Sequence, residues 1–269
     1  MRLSQGQLNL LETCPRKFQN TYLEQLSSPA SPEQQDRQDW GSRFHLLMQQ
    51  RELGLPIESL IEEDPQLERC LTAFINAAPE ILTPDPAKKS GIFRQAEHCR
   101  TLNFKGYLLT VIYDLLIAEA KNAQILDWKT YPSPQNRSRL EKNWQTRLYL
   151  YVLAETSNYL PEQISMTYWF VQSPLETSDL PSLQSLKFSY NDSLHQQTRA
   201  DLTHLLSNLD LWLQQYQETG EAFPQVPAAN GHCTSCNFGV RCERSRETAE
   251  AAGTLSNLPN LANIQEISL

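Results

Sequence analysis

The sequence predicts an α/β fold, a small mixed sheet flanked by helices, with helices ahead of it and a cysteine-bearing end behind it. Three observations predict this. Apolar residues recur at helical spacing up to about residue 77. Between Phe93 and Trp128 the pattern changes to runs of β-formers separated by turn residues. Helical periodicity then returns around the strand-like ISMTYWFVQ, and Cys233, Cys236 and Cys242 crowd the C-terminal part.

The elements follow in order. Ser4 with Gln7 resembles a capping box opening a short helix, and Pro15 starts a further helical turn running to Leu26. Glu33–Leu53 forms a helix carrying Trp40, Phe44, Leu47 and Met48, and Gln66–Ala77 forms another. Pro79–Gly91 is a Pro-rich connector. Strands are expected over Phe93–Leu102, Tyr107–Leu116, Gln124–Trp128, Ile164–Gln172 and Leu183–Tyr190. Tyr131–Arg139 is a loop, followed by a helix from Leu140 to about Glu155 with Trp144, Leu148 and Val152 in its buried stripe. A long helix runs from Ser193 to about Thr219. The expected organisation is one domain over 1–245, with a helical part at 1–78, a core at 91–220 and a cysteine segment at 230–245 joined to Cys14. A loosely held tail follows at 246–269.

With 269 residues, 40% hydrophobic and 20% charged, the chain can bury a proper core. No apolar run approaches the ~20 residues of a membrane span, and the start lacks the apolar core of a secretion signal, so a cytoplasmic protein is expected. The net charge of −8 argues mildly against nucleic acid as a partner, but it is a sum over the whole chain. Basic residues cluster locally at Arg16 with Lys17, Lys88 with Lys89, and Arg137, Arg139 and Lys142.

Asp114 lies in LLTVIYDLLI, apolar on both faces, where an unpaired carboxylate costs several kcal/mol or more. It therefore requires a cation, hydrogen-bond donors or an open cleft. In ILDWKT, Asp127 and Lys129 leave the same face of a strand, while the backbone carbonyl of Trp128 can still reach a metal. Two carboxylates and a lysine on neighbouring strands suit phosphodiester hydrolysis. Oxygen ligands hold Mg²⁺ or Mn²⁺, and lysine orients water or stabilises charge on the phosphate. A lone D-x-K is also compatible with a buried ion pair that does no chemistry.

In order along the chain stand G-x-x-x-H at Gly41 to His45, Asp114, D-W-K-T at Asp127 to Thr130, and Q-x-x-x-Y at Gln145 to Tyr149. Together they resemble the RecB-like branch of the PD-(D/E)XK nuclease superfamily, whose core is restriction-endonuclease-like. The pieces span most of the chain from Leu3 to Cys242. The resemblance implies that His45, Asp114 and Asp127 are metal ligands and Lys129 is the catalytic lysine. By the same resemblance Gln145 and Tyr149 line the DNA side. Glu97, on the preceding strand, is a lesser candidate. Where family members often carry glycine, three residues before the first aspartate, this chain has Val111, whose bulk is expected to narrow the cleft or alter the strand path. Arg137 and Arg139 are candidates for gripping a nucleic-acid backbone.

Cys233, Cys236 and Cys242, separated by two and then five residues, need a fourth ligand, and Cys14 in LLETCPRKF is the natural one. Cys70 and Cys99 stand singly in ordinary segments. Four cysteines hold either tetrahedral zinc or a [4Fe–4S] cluster, and spacing does not separate the two. The AddAB-type nucleases and CRISPR-associated exonucleases place one cysteine before the core and three after it around [4Fe–4S]. The resemblance therefore implies that cluster, with zinc as runner-up and His232 as a weaker alternative ligand. It also implies a metal-dependent exonuclease on single-stranded DNA ends in repair, recombination or nucleic-acid defence. No helicase-type phosphate loop occurs in the sequence, so unwinding would need a helicase or other partner. The alternative is an inactive DNA-binding or scaffolding subunit that retains the fold and the cluster.

Overall fold

The computed structural model describes residues 1–26, 31–82, 91–131, 136–171 and 183–244. The chain divides into two compact units, Met1–Asn9 with Pro29–Leu211, and Leu10–Ser28 with Trp212–Leu269.

The larger unit is built on a mixed sheet. Its strands are β1 (Arg2–Leu3), β2 (Phe93–Phe104), β3 (Tyr107–Ala118), β4 (Ala123–Lys129), β5 (Ile164–Val171) and β6 (Leu183–Ser189). β2 and β3 form a hairpin through Lys105 and Gly106, both at positive φ, as a two-residue primed turn requires. β2 occupies one edge of β3 along its length. The other edge is shared by β1, parallel at Leu108 and Leu109, and β4, antiparallel from Leu115 to Ala118. β4 pairs parallel with β5, and β5 antiparallel with β6. Among the described residues, the β3 edge between Leu109 and Leu115 has no strand partner. That gap ends at Asp114.

Helices cover both faces. α3 (Pro32–Glu52), opened by a Ser31–Gln34 capping box, and α5 (Pro65–Ala77), capped by Asp64, cover one. Their Phe44, Leu47 and Phe74 pack with Leu115, Leu126 and Trp128 of the sheet. Phe74 meets Trp128 and Trp169 edge-on, with ring centroids 5.2 and 4.9 Å away. The other face receives α8 (Trp144–Glu155), whose Thr146 hydroxyl lies 2.8 Å from the Tyr168 hydroxyl of β5.

The hairpin turns over midway. On β3, Tyr113 packs against Tyr149 of α8, yet Leu115, two residues on, lies in the core with α3 and α5. On β2, Arg94 is bound by Glu52 of α3, whereas Arg100 reaches Thr156 just past α8. Residues an even number apart share a face in a regular strand, so both strands have rotated between these points. The rotation lies at Glu97, whose φ of +49° interrupts the ladder opposite Asp114.

The smaller unit contains α2 (Pro15–Phe18), which continues into a π-helical turn at Gln19–Leu23. Phe223 pins it: its ring stacks on Phe18 and meets Trp212 and Tyr216. The Phe223 backbone is held at both ends, its N–H donating to Gln19 Oε1 at 2.7 Å and its carbonyl accepting from Arg16 Nε at 2.6 Å.

Most expected elements recur within a residue or two. The differences have local causes. Of the loop expected over Tyr131–Arg139, residues 132–135 lie outside the described residues, and the Asn136 side chain caps α7 (Arg137–Glu141) by accepting from Ser138 N. Pro79–Leu82, expected in the connector, forms one short helix, α6, after a proline well placed for a first helical turn. The helix predicted to run to Leu26 is α-helical only to Phe18. β1 and α4 (Glu58–Glu63) were not expected, being too short to show periodicity. The rest of the connector, residues 83–90, and the 246–269 tail lie outside the described residues.

Phe74 is fully buried between two tryptophans. Phe74→Ala is expected to cost about 3–5 kcal/mol, read as a lower urea midpoint. An unchanged midpoint would contradict the role given to this core.

Candidate active site

The site forms where β3 and β4 part. Their ladder stops at Leu115 and Leu126, so Asp114 and Asp127 face the opening fork. The lost ladder contact is replaced by a side chain: Trp128 N–H donates to Asp114 Oδ2 at 2.7 Å. The other Asp114 oxygen lies 3.4 Å from His45 Nδ1, and His45 Nε2 lies 3.1 Å from the Trp128 carbonyl. His45 comes from α3, which can approach because Gly41, one turn earlier, lies against Thr130. A Cβ there would sit 3.0 Å from Thr130 Oγ1. Glycine in G-x-x-x-H thus sets how close the histidine comes.

Ligating atoms of His45, Glu97 and Asp114 lie within 4.8 Å of one another. A left-handed backbone at a non-glycine residue costs about 1–2 kcal/mol, and at Glu97 that conformation accompanies delivery of the carboxylate to this group. On sequence Glu97 is a lesser candidate, resting only on its place on the strand before Asp114. The available signal was its place opposite Asp114 on a hairpin.

Asp127 and Lys129 adjoin this group on the floor. Lys129 Nζ lies 2.5 Å from Asp127 Oδ1. The Lys129 ammonium is thus the cation that this buried oxygen meets. Gln145, in the first turn of α8, spans the pair: its Oε1 accepts from Lys129 at 2.9 Å and its Nε2 donates to Asp127 Oδ2 at 2.6 Å. Tyr149 is buried, packs on Tyr113, and shares side-chain hydrogen bonds with Gln145 and Gln5.

Crowding of acids on a buried floor raises their pKa values. Burial and then the Asp114 charge push Asp127 up to about 7, against Lys129 and His45. Burial, then Asp114, likewise raises Glu97. Burial alone would lower His45 and Lys129, but Asp114 and Asp127 respectively outweigh it and both shift upward. The oxygen-rich donor set and the crowding of its carboxylates fit a hard divalent cation.

The remaining predicted residues divide. Arg139 is exposed; burial raises the Tyr131 hydroxyl, and Lys129, then Arg139, oppose that rise. Arg137 instead donates to the Lys187 carbonyl and lies over the Phe188 ring. Val111 is buried, and its neighbour Ile112 is exposed. In the smaller unit, Cys14, Cys233, Cys236 and Cys242 line one cavity of about 270 Å³, with His232. Burial raises the Cys242 thiol, Arg16 opposes, and the other three cysteines add to the rise. Four thiols on one cavity have the donor chemistry of zinc or iron–sulfur ligands.

The chain belongs to the PD-(D/E)XK nuclease superfamily, which it matches over residues 2–243. Among solved structures it resembles a "putative exonuclease" from Eubacterium rectale, with a TM-score of 0.54 and 13% identity over 89% of this chain and 87% of that one. A second similarity, to SSO0001, has a TM-score of 0.38 and 13% identity over 90% and 85% of the two chains. No curated protein matches the sequence. Among the described residues, no helix is long and apolar enough to cross a membrane.

Protons and metal compete for these carboxylates. A carboxyl raised to about 7 keeps its proton in the folded state after the unfolded chain has released it. Metal-free stability from this group thus falls as pH rises from the ordinary carboxyl range to about 7, and divalent-ion affinity grows over the same window. Mn²⁺ is expected to raise Tm more at pH 8 than at pH 6, and Asp127→Asn to flatten that difference. Equal gains at both pH values would contradict the shift.

Proposed function

We propose that the chain is a RecB-like, divalent-metal-dependent deoxyribonuclease that degrades single-stranded DNA from ends. The observation that carries this reading is the convergence of His45, Glu97 and Asp114 beside the Asp127–Lys129 pair at the strand fork. His45, Glu97, Asp114, Asp127 and the Trp128 carbonyl would hold the ion. When bound, a divalent ion supplies Lewis-acid polarisation of the phosphodiester and lowers the pKa of water. Lys129, fixed by Gln145, orients the attacking water and stabilises charge developing on the phosphate. The hydrogen bond from Trp128 N–H keeps Asp114 aimed while the fork stays open. Arg139 and Tyr131 flank the entry for the strand.

In this reading Cys14, Cys233, Cys236 and Cys242 hold a [4Fe–4S] cluster. The four cysteines line one cavity, and zinc is the runner-up for the same ligands. The cluster ties the 10–28 segment to the 225–244 segment within the smaller unit. Metal binding of this kind contributes directly to folding free energy, of order 10 kcal/mol for structural zinc. The enzyme acts in the cytoplasm in DNA repair, recombination or nucleic-acid defence, with a helicase or similar protein supplying unwound ends.

The test is cleavage of end-labelled single- and double-stranded DNA by anaerobically purified protein with Mg²⁺ or Mn²⁺. Metal-dependent shortening from ends of single strands is expected. Lys129→Ala should slow it by about 10²–10⁴-fold, and Asp127→Ala should abolish it while DNA binding persists. Cleavage untouched by either substitution, or no cleavage by cluster-loaded protein, would refute the reading.

A further inference from the structure

Arg16, Arg241 and Arg244 line one cavity of about 440 Å³ in the smaller unit, together with Gln225, Cys242 and Glu243. Three guanidinium groups on one cavity stand out in a chain of net charge −8. Two of them are anchored by neutral acceptors: Arg16 Nε donates to the Phe223 carbonyl at 2.6 Å, and Arg244 Nε to Gln225 Oε1 at 2.9 Å. Such anchoring holds a guanidinium still without cancelling its charge, and it leaves the paired Nη nitrogens for a bidentate acceptor. Arg241 pairs with Glu24 at 2.6 Å but is 57% exposed, so that pair is weak. Of the lining residues, Glu243 is the one acid, held at a left-handed φ of +56°.

We propose that this cavity is a phosphate-binding subsite that grips the backbone of a nucleic-acid strand through Arg16 and Arg244, with Arg241 at its rim. The ligand class follows from the donors: planar, permanently charged forks match phosphate oxygens, and a cavity with polar walls offers no base-stacking surface. The strand assignment rests on the nuclease reading above. Glu243 limits affinity by repulsion, which keeps the grip weak enough for a strand to move on.

The experiment is fluorescence anisotropy of a labelled single-stranded oligonucleotide across a salt series. It uses the full, cluster-loaded chain carrying Lys129→Ala, so that no cutting occurs. Each phosphate contact on a single strand contributes about 0.7 to the slope of log K against log salt. Adding Arg16→Gln with Arg244→Gln should lower affinity at least tenfold and shrink the slope by about 1.4. Iron and sulfide content is measured alongside, because Arg16 follows Cys14 by two residues and Arg241 and Arg244 flank Cys242. Should the double variant lose its cluster, Glu243→Gln decides, since this exposed residue is no ligand. It should tighten binding about threefold or more, and unchanged or weaker binding would overturn the subsite. Equal affinity and slope in a cluster-loaded double variant would also overturn it and leave the nuclease reading standing. If the parent binds no DNA at any salt, both fail. Inorganic phosphate competing as well as the oligonucleotide, at equal phosphate concentration, would identify a free-anion site instead.

Discussion

Two paired strands that bury one face under α8 and then the opposite face under α3 and α5 must rotate somewhere. Here they do so at Glu97 and Asp114. A rotation inside a ladder breaks backbone pairing, and burial leaves little room for unpaired polar groups. The same rotation frees the two carboxylates from packing against either layer and aims them at His45. β4 departs from β3 at this point, so Trp128 N–H, no longer used by the ladder, becomes the donor that fixes Asp114. Sheet geometry and site geometry are one constraint.

The electrostatics follow from it. Three carboxylates at one fork repel, and Asp127 is almost wholly buried. Lys129 offsets part of that cost, and Gln145 fixes how: one amide holds both members of the ion pair, with Tyr149 and Gln5 behind it. The Q-x-x-x-Y spacing places Gln145 and Tyr149 on one helix face, so the second can brace the first. A divalent cation held by these carboxylates would relieve the repulsion that Lys129 offsets only in part.

Much of this was legible in the sequence. The helix–sheet–helix order, strand boundaries within a residue or two, and the placement of Asp114 on one strand and Asp127 and Lys129 on the next all follow from periodicity and spacing, but the fork between those strands does not. Glu97 was harder. Its role depends on a backbone rotation, and glutamate gives no sign of a left-handed φ as glycine would. The burial of Val111 follows from its alternation with exposed Ile112. Arg137 and Arg139 looked alike as neighbours in a loop, but the Asn136 cap makes a helix there and sends them to different partners. The arginine cavity was invisible, since Arg16 and Arg244 meet only through the fold.

That the strand rotation builds a metal site is tested most directly by anomalous diffraction from crystals soaked in Mn²⁺. A peak is expected between His45, Glu97 and Asp114, close to the Trp128 carbonyl, and it should weaken or vanish in Glu97→Gln crystals. A peak held by Asp127 with Glu97 turned away, or full occupancy in the Glu97→Gln variant, would contradict it.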